Sequence, residues 1–187
     1  MTEELKPLDR YSTPAKALSE PAPDEAQLEQ ILSVALTAPD HGRLRPYRFI
    51  TIRGDARHRL SEIFGEATLR REPDVEPAYL QKQKDKPLRS PLIVVVVASV
   101  VDNPKIPEIE QLLSAGAAAH NVLLASNALG FGSIWLTGAN AYDDYVREQL
   151  GIADNERIIG FLYIGTPDFC MPRPTPPRVS DYLTDWE

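Results

Sequence analysis

Three short segments of the chain collect residue types that bind a charged, planar ligand. The first is Arg10-Tyr11-Ser12, where a guanidinium group, two hydroxyl groups and backbone amides stand together ahead of Pro14. The planar guanidinium group matches a phosphate, and the hydroxyl and amide groups can donate further hydrogen bonds to it. The same residues are also typical of a turn with a surface arginine. The segment therefore predicts a phosphate site and leaves the plain turn open.

The second segment is the loop at residues 38–46 (APDHGRLRP), between a predicted helix and a predicted strand. It holds His41, Arg43 and Arg45 in a chain whose formal net charge is -7. The loop therefore has the opposite charge to the chain as a whole, which favours an anionic ligand. A solvent-exposed connection is the alternative interpretation.

The third segment is residues 130–138 (GFGSIWLTG). Its glycines let a ligand approach the backbone closely. Trp135 can stack on a ring, and Thr137 can donate a hydrogen bond. The alternative is a helix end followed by an ordinary core strand.

None of the familiar catalytic motifs is present: the sequence has no GxSxG, HExxH, GxxxxGK[ST] or GxGxxG pattern. The three histidines, His41, His58 and His120, do not have the spacing of metal ligands, so we expect no metal site. We expect His58 to be solvated and His120 to be hydrogen-bonded inside a buried helix. If the protein is an enzyme, a bound cofactor supplies the reactive atoms.

The length and composition predict one domain. The chain has 187 residues, of which 43% are hydrophobic and 25% charged, as in globular proteins. The net negative charge repels nucleic acid and anionic lipid, so we expect neither as a partner. A lone Cys170 excludes an internal disulfide, and the start of the chain lacks the pattern of a signal peptide. We therefore expect a soluble, cytoplasmic protein.

Hydrophobic patterning places the three segments among helices and strands. Asp24 suits the N-cap of a helix that ends before Pro39, and residues 48–53 alternate like a half-buried strand. Residues 92–98 (LIVVVVA) are apolar on both faces, which indicates a central strand covered on both sides. The other predicted elements are a short helix after Gly54, one helix at most within a surface excursion at 70–90, a helix at 109–129, a strand at 133–137, a surface helix at 142–150 and a strand at 157–164.

The predicted helix at 109–129 is apolar all round and rich in small residues (SAGAAA), so we expect it to be buried and closely packed, or to form a subunit interface. Residues 167–187 are dense in proline and predict an extended arm. The arm carries Tyr182, Leu183 and Trp186 near its end, and these apolar side chains need a docking surface on the same or a partner subunit.

In this order, the motifs resemble those of the nitroreductase family, FMN-dependent enzymes that oxidise NAD(P)H, and above all its small members. Arg10-Tyr11-Ser12 is similar to the family's Arg-Arg-Ser element, and residues 38–41 with Pro46 are similar to its APDH…P element. Residues 130–138 are similar to GFG-x-IW-x-x-G, and residues 160–167 to GFLYIGTP. The resemblance runs from Arg10 to the tail.

The resemblance implies an α+β, nitroreductase-like fold over residues 1–187, with a mainly antiparallel central sheet flanked by helices and the arm at 167–187 extended onto the partner subunit. It implies FMN at a homodimer interface, NADH or NADPH as electron donor, and a nitro, quinone or similar small-molecule acceptor reduced by a ping-pong mechanism. The flavin carries the chemistry, so no catalytic side chain is implied. The implied FMN contacts are Arg10, Tyr11, Ser12, Thr37, His41, Trp135, Leu136 and Thr137, and the implied NAD(P) segment is Ala125, Ser126, Asn127, Ala128, Leu129 and Gly130.

Two other functions stay open. Tyr11 replaces the second arginine of the family's first element, and Thr37 and Leu136 stand where relatives can carry arginine. This difference implies either that FMN binds more weakly or that Arg43, Arg45 or Arg178 supplies the missing positive charge. One alternative is therefore a protein that stores or senses FMN with little turnover, and the other is a flavin-free module that only dimerises.

Overall fold

The central strand of the fold is the apolar run that the sequence singles out. The structure, a computed structural model, describes residues 10–169 and 174–186. Its strands are β1 (Leu18–Ser19), β2 (Tyr47–Arg53), β3 (Leu92–Ser99), β4 (Gly132–Leu136) and β5 (Glu156–Pro167). Its helices are α1 (Glu25–Ala35), α2 (Ala56–Arg71), α3 (Pro77–Lys84), α4 (Glu108–Ala128) and α5 (Asp144–Gln149).

The strands form one five-stranded antiparallel sheet. β3 lies between β2 and β5, and every residue from Leu92 to Ala98 is fully buried. The other edge of β5 pairs with β4 along Phe161 to Gly165 and with β1 at its end. Together with the helices on both faces, this confirms the predicted α+β class and the central position of β3.

Alternate side chains of β3 enter two separate cores. Ile93, Val95 and Val97 pack towards α2 and α5, where Phe64 and Phe161 meet edge to face with ring centroids 5.3 Å apart. Val94 and Val96 pack on the opposite face, towards α1 and α4. The sheet is therefore the middle of three layers.

A buried carboxylate ties one end of the sheet together. Glu156 accepts hydrogen bonds from Arg48 Nε at 2.8 Å, Arg48 Nη2 at 2.7 Å, Ser99 Oγ at 2.7 Å and Ala153 N at 3.0 Å. The hydrogen bonds from Arg48 lower the pKa of Glu156 to about 2, against the opposing effect of burial. Strands β2, β3 and β5 are thus joined through one side chain.

The start of α1 follows the local sequence. Asp24 accepts a hydrogen bond from Gln27 N at 2.8 Å, and the Gln27 side chain accepts one from Asp24 N at 3.0 Å. This reciprocal capping box satisfies two backbone donors at the helix start. The predicted N-cap is confirmed.

The bounds of two helices and one strand differ from the predictions. α2 is 16 residues long and reaches Arg71, and Arg70 pairs with Glu66 one turn earlier, which favours a helical conformation at this charged end. The surface helix predicted at 142–150 is a 3-10 turn (Ala139–Tyr142) followed by the shorter α5. Thr137 lies just beyond β4 and not within it.

The prediction that α4 is buried all round is also wrong for the single chain. Ile109 is 59% exposed and Leu113 is 64% exposed, and His120 lies on the same exposed side. No element among the residues that the structure describes covers this stripe, and the alternative that the helix forms a subunit interface stays a prediction. The prediction that His120 is hydrogen-bonded inside a buried helix is therefore wrong for the single chain.

The described part of the arm, residues 174–186, is extended apart from one 3-10 turn at Val179–Asp181. Tyr182 is 79% exposed, Leu183 62% and Trp186 98%. These apolar side chains find no docking surface on their own chain within the described residues, and docking on a partner stays a prediction. Cys170 lies outside the described residues. Among the helices described, none is long and apolar enough to cross a membrane.

Candidate functional site

The fold brings the first and third ligand-binding segments together. Thr13 N donates a hydrogen bond of 3.0 Å to Ser133 O, which lies near the start of β4. Thr13 itself is buried at 2% exposure, and its Oγ1 would lie 2.9 Å from a Cβ at Gly132. Thr13 is therefore held beside β4, and of the three residues before it Arg10 and Tyr11 are half-buried and Ser12 is exposed.

β4 presents an edge to any ligand placed beside it. It pairs with β5 on one side, and no other strand of the described chain pairs with it. Beyond Ser133, its backbone groups on the open edge are available to a ligand. Leu136 and Thr137 are exposed at the end of this edge.

Trp135 fastens β4 to β5. Its indole Nε1 donates a hydrogen bond of 3.1 Å to Ile159 O, at an irregularity in the β3–β5 register. A Cβ at Gly160 would lie 2.1 Å from the same Nε1, so the indole occupies the space that glycine leaves. The position of the indole therefore depends on Gly160.

A cavity of about 440 Å³ opens beside the later part of β4. Three of its aromatic residues, Phe64, Phe161 and Tyr163, are each 2% exposed, and its charged residues are Lys86 and Arg89. The remaining lining residues are Trp135, Leu136, Thr137, Gly138 and Asn140. We call this space the cationic cavity, since its described lining contains no aspartate or glutamate.

Sequence reasoning missed Lys86 and Arg89. They belong to a 3-10 turn (Lys86–Arg89) that follows α3 and leads into β3. Their only sequence signal is a pair of cations directly before the most apolar strand, where a purely structural turn needs none. The packing of this turn against α2 brings them to β4, more than 40 residues later in the chain.

No acidic side chain in the described lining of the cavity balances the charges of Lys86 and Arg89. Burial lowers the pKa of Lys86, and repulsion by Arg89, Lys82 and Arg71 lowers it further. Burial raises the pKa of the Tyr163 hydroxyl, opposed by Arg89. An anion in the cavity would relieve the repulsion between the cations.

Arg71 braces the mouth of the cavity. It donates a hydrogen bond of 2.9 Å to Asn140 Oδ1 and pairs with Asp143. The turn that carries Gly138 and Asn140 is thereby attached to the end of α2. The cavity wall is therefore fixed by Trp135 on β4 and by Arg71 on α2.

Thr37 and His41 lie apart from the cationic cavity. The Thr37 hydroxyl donates a hydrogen bond of 2.7 Å to Val34 O, and His41 Nδ1 lies 2.5 Å from Glu110 Oε2 on α4. His41 instead lines a smaller cavity of about 290 Å³ with Leu113 and Ala117. The single chain does not bring these two residues together with Arg10 or Trp135.

The loop that carries His41 has an unusual backbone. Gly42, Arg43 and Arg45 have φ values of 73°, 56° and 49°, in the left-handed region that arginine rarely adopts. The Asp40 carboxylate accepts hydrogen bonds from Leu44 N at 3.2 Å and Arg45 N at 2.7 Å, which stabilises this conformation. Arg43 and Arg45 are consequently displayed at the surface.

The segment implied to meet NAD(P) straddles the end of α4. Ala125 is 7% exposed and Ser126 is fully buried, with its hydroxyl donating to Val122 O at 2.8 Å. Ala128, Leu129 and Gly130 are exposed. Only the later part of the segment offers surface to a ligand in the single chain.

Taken together, the site can hold a planar, negatively charged molecule along the edge of β4. Thr13, which follows Arg10-Tyr11-Ser12, lies near the start of the strand, and aromatic rings with two cations lie near its end. Within residues 10–169 and 174–186, no three potential ligands from His, Cys, Asp and Glu are grouped to hold a metal ion.

Comparison with known proteins agrees with the motifs. The sequence model of the nitroreductase family matches residues 8–166. The Escherichia coli K12 protein named "Putative NAD(P)H nitroreductase YdjA" is 39% identical over 168 residues, covering 87% of this chain and 91% of its own. The Haemophilus influenzae protein named "Putative NAD(P)H nitroreductase" is 36% identical over 152 residues, covering 81% of this chain and 82% of its own.

Solved structures share the fold. The nitroreductase-like family protein of Bacillus cereus superposes with a TM-score of 0.84 at 23% identity, covering 100% of this chain and 99% of its own. The nitroreductase of Bacteroides fragilis, solved with bound FMN, gives a TM-score of 0.74 at 18% identity and full coverage of both chains. At these identities the likeness concerns the fold alone, and it confirms the predicted architecture.

Proposed function

The chain belongs to the nitroreductase family, and from that premise we propose that it is an FMN-dependent oxidoreductase of one domain. It uses NADH or NADPH as electron donor, works by a ping-pong cycle and reduces small electron-poor acceptors such as nitro compounds or quinones. One observation carries the proposal: the segment that contains Arg10, Tyr11 and Ser12 leads to the start of β4, and an aromatic, cationic cavity lies at the end of the same strand. FMN has a phosphate at one end and a planar ring system at the other.

The residues present fit FMN. Arg10, Tyr11 and Ser12 would hold the phosphate and the adjoining chain through their guanidinium and hydroxyl groups, since Thr13, the next residue, is hydrogen-bonded to Ser133 of β4. The open backbone edge from Trp135 to Thr137 would hold the ring system, which would cover the buried aromatic residues of the cationic cavity. When bound, FMN supplies the redox chemistry by accepting a hydride from the nicotinamide and passing two electrons to the acceptor.

The chain's own residues position the cofactor and the substrates and shield them from water, and they do not themselves react. The lining of the cationic cavity holds no pair of a nucleophile and a base, and its walls are fixed by Trp135 and Arg71. Rigid walls keep two flat molecules in contact, which is what transfer between rings requires. The segment Ala125 to Gly130 would meet the nicotinamide through its exposed later part.

A homodimer completes the site in this proposal. Ile109 and Leu113 on α4 and Leu36 after α1 are apolar and exposed, at 59%, 64% and 60%. Thr37 follows Leu36 in the chain and His41 lines a cavity with Leu113, so an interface over these side chains would bring both residues towards the partner's flavin. Tyr182, Leu183 and Trp186 of the arm would dock on the partner as well.

Storage or sensing of FMN with little turnover is the second candidate. Tyr11, Thr37 and Leu136 lack the positive charge that relatives can place there, which favours it. Lys86 and Arg89 place two positive charges at the other end of β4, where the ring system would lie, and positive charge beside a flavin ring favours its reduction and so favours turnover.

Steady-state kinetics separates the two candidates. The FMN-loaded protein should oxidise NADH or NADPH in the presence of a neutral nitroaromatic compound or a quinone, at a rate well above that of free FMN. The Arg10→Ala variant, measured beside it, should lose the rate in step with its bound flavin. A flavin-loaded wild type that is no faster than free FMN would favour storage.

A further inference from the structure

Two buried polar side chains in the cationic cavity carry atoms that have no hydrogen-bond partner on their own chain. Tyr163 on β5 is 2% exposed, and Asn140, in the 3-10 turn after β4, is 3% exposed. Among the residues that the structure describes, none bonds to the Tyr163 hydroxyl and none accepts a hydrogen bond from the Asn140 amide nitrogen, Nδ2. Polar groups buried to this degree are as a rule hydrogen-bonded. These two atoms therefore indicate a partner from outside the chain.

Both atoms face the open space of the cavity. In the described part of the chain, no side-chain nitrogen or oxygen atom is both fully buried and unpaired, so the Tyr163 hydroxyl and Asn140 Nδ2 each reach an accessible surface. Both residues line the cationic cavity and are otherwise packed inside the fold. The surface that the two atoms reach is therefore the wall of that cavity.

Arg71 fixes the Asn140 amide with its nitrogen towards the cavity. Arg71 donates a hydrogen bond of 2.9 Å to Asn140 Oδ1, and a guanidinium group can only donate. Turning the amide by 180° would set two donors against each other, so the oxygen stays at Arg71. Arg71 is itself held by Asp143, which caps α5 by accepting a hydrogen bond of 3.1 Å from Val146 N. Asn140 thus offers the cavity a hydrogen-bond donor.

The Tyr163 hydroxyl is a second donor. Burial raises its pKa, opposed by Arg89, so the phenol keeps its proton at neutral pH. A ligand that covered the phenol and the Asn140 amide without accepting hydrogen bonds from them would leave both unpaired, which costs binding free energy. A ligand that fits the cavity therefore carries acceptor atoms where these two donors lie.

We propose that Asn140 and Tyr163 bind the ring system of FMN, donating hydrogen bonds from Nδ2 and from the hydroxyl group to its carbonyl oxygen and ring nitrogen atoms. The inference rests on the proposed function, in which the ring covers the buried aromatic residues of the cationic cavity. The oxidised ring carries no charge for Lys86 and Arg89 to bind, whereas its carbonyl oxygens and unsubstituted nitrogens accept hydrogen bonds. The two uncharged donors therefore recognise the ring in its oxidised form.

The test titrates the flavin-free protein with FMN and, separately, with riboflavin, which has the same ring and no phosphate. Tyr163→Phe and Asn140→Asp should each raise the Kd of both flavins about fivefold and by the same factor, as for one lost hydrogen bond. Arg10→Ala should raise the Kd of FMN and leave that of riboflavin unchanged. Tyr145→Phe is the matched control, because it removes a hydroxyl group from a tyrosine that lines a different cavity beside α2 and α3. It should leave both Kd values unchanged.

The stability of the flavin-free variants separates binding from folding. Tyr163→Phe removes an oxygen atom that bonds to no described residue, so the flavin-free Tm should not fall. Asn140→Asp keeps an oxygen for Arg71 and replaces the donor Nδ2 by an acceptor, so it tests the donor alone. If Asn140→Asp fails to fold, Tyr163→Phe still decides the question.

Three results would overturn the inference. Unchanged flavin affinity in Tyr163→Phe and in a folded Asn140→Asp would do so while the wild type still binds FMN, which leaves the proposed function standing. Unchanged flavin affinity with a raised KM for the electron acceptor would assign the two donors to the acceptor. A lowered flavin-free Tm in Tyr163→Phe would show that the hydroxyl serves the fold. A wild type that binds neither FMN nor riboflavin would instead overturn the proposed function, and this inference with it.

Discussion

Replacing Gly160 by alanine should destabilise the protein by displacing Trp135. The new Cβ would lie 2.1 Å from Nε1, 2.5 Å from Cδ1 and 3.1 Å from Cε2 of the indole, so the indole must move. The move breaks the 3.1 Å hydrogen bond to Ile159 O and strains the packing between β4 and α4. Overpacking of a core costs about 1–3 kcal/mol, and a lost hydrogen bond adds about 1 kcal/mol. We expect roughly 3 kcal/mol in all, which lowers Tm by about 6–12 °C for a chain of this length.

The assay is a double-mutant cycle followed by thermal and urea unfolding. Trp135→Phe removes Nε1, the atom nearest to the new methyl group, and should itself cost about 1–2 kcal/mol through the unpaired Ile159 carbonyl. In the Trp135→Phe background, Gly160→Ala should cost clearly less than in the wild type. Additive costs, within about 0.5 kcal/mol, would show that the two residues do not compete for the same space. An unchanged Tm in Gly160→Ala would refute the reasoning outright.

Three further predictions concern charge, cofactor and assembly. Since the folded pKa of Glu156 is about 2 and its usual value is 4.5, its stabilisation is complete above pH 4.5 and is lost as the pH falls towards 2. Glu156→Gln should therefore lower the free energy of unfolding by about 2 kcal/mol at pH 7, allowing for the partial exposure of Arg48. In urea titrations below pH 4.5, the difference in unfolding free energy between the variant and the wild type should narrow. Arg10→Ala should weaken FMN binding at least tenfold in fluorescence titration while the flavin-free Tm stays within about 2 °C, because Arg10 is outside the core; a large fall in that Tm would contradict its role as a ligand residue. Leu113→Glu should yield monomers in sedimentation, whereas Leu69→Glu, at 39% exposure on α2, should leave the dimer intact; a dimeric Leu113→Glu protein would exclude this face of α4 as the interface.

The parts of the fold that the sequence predicted are those set by local pattern. The apolar run of β3 and the capping residue Asp24 act through nearest neighbours, and both predictions are confirmed. The length of α2 depended on an Arg70–Glu66 pair within a stretch read as charged surface. The exposure of His120 depended on which face of α4 is covered, and composition carries no such information.

Some residues of the candidate site could likewise be selected from the sequence, and others are brought there only by the packing of the fold. Arg10 and Trp135 could be selected from sequence because their side chains suit a flavin nucleotide in ordered motifs. Lys86 and Arg89 could not, since they reach β4 only through the packing of their turn against α2. Thr37 was selected through the family resemblance and His41 through the charge of its loop, and in the single chain both lie apart from the cationic cavity.

The visible spectrum of the protein purified without added flavin tests the central claim most directly. The account predicts a yellow protein with flavin absorption bands, from which denaturation releases FMN, and a preparation that has lost its colour should regain it on addition of FMN with a rise in Tm. A colourless protein that neither binds added FMN nor gains stability from it would contradict the account and leave dimerisation alone as the function of the chain.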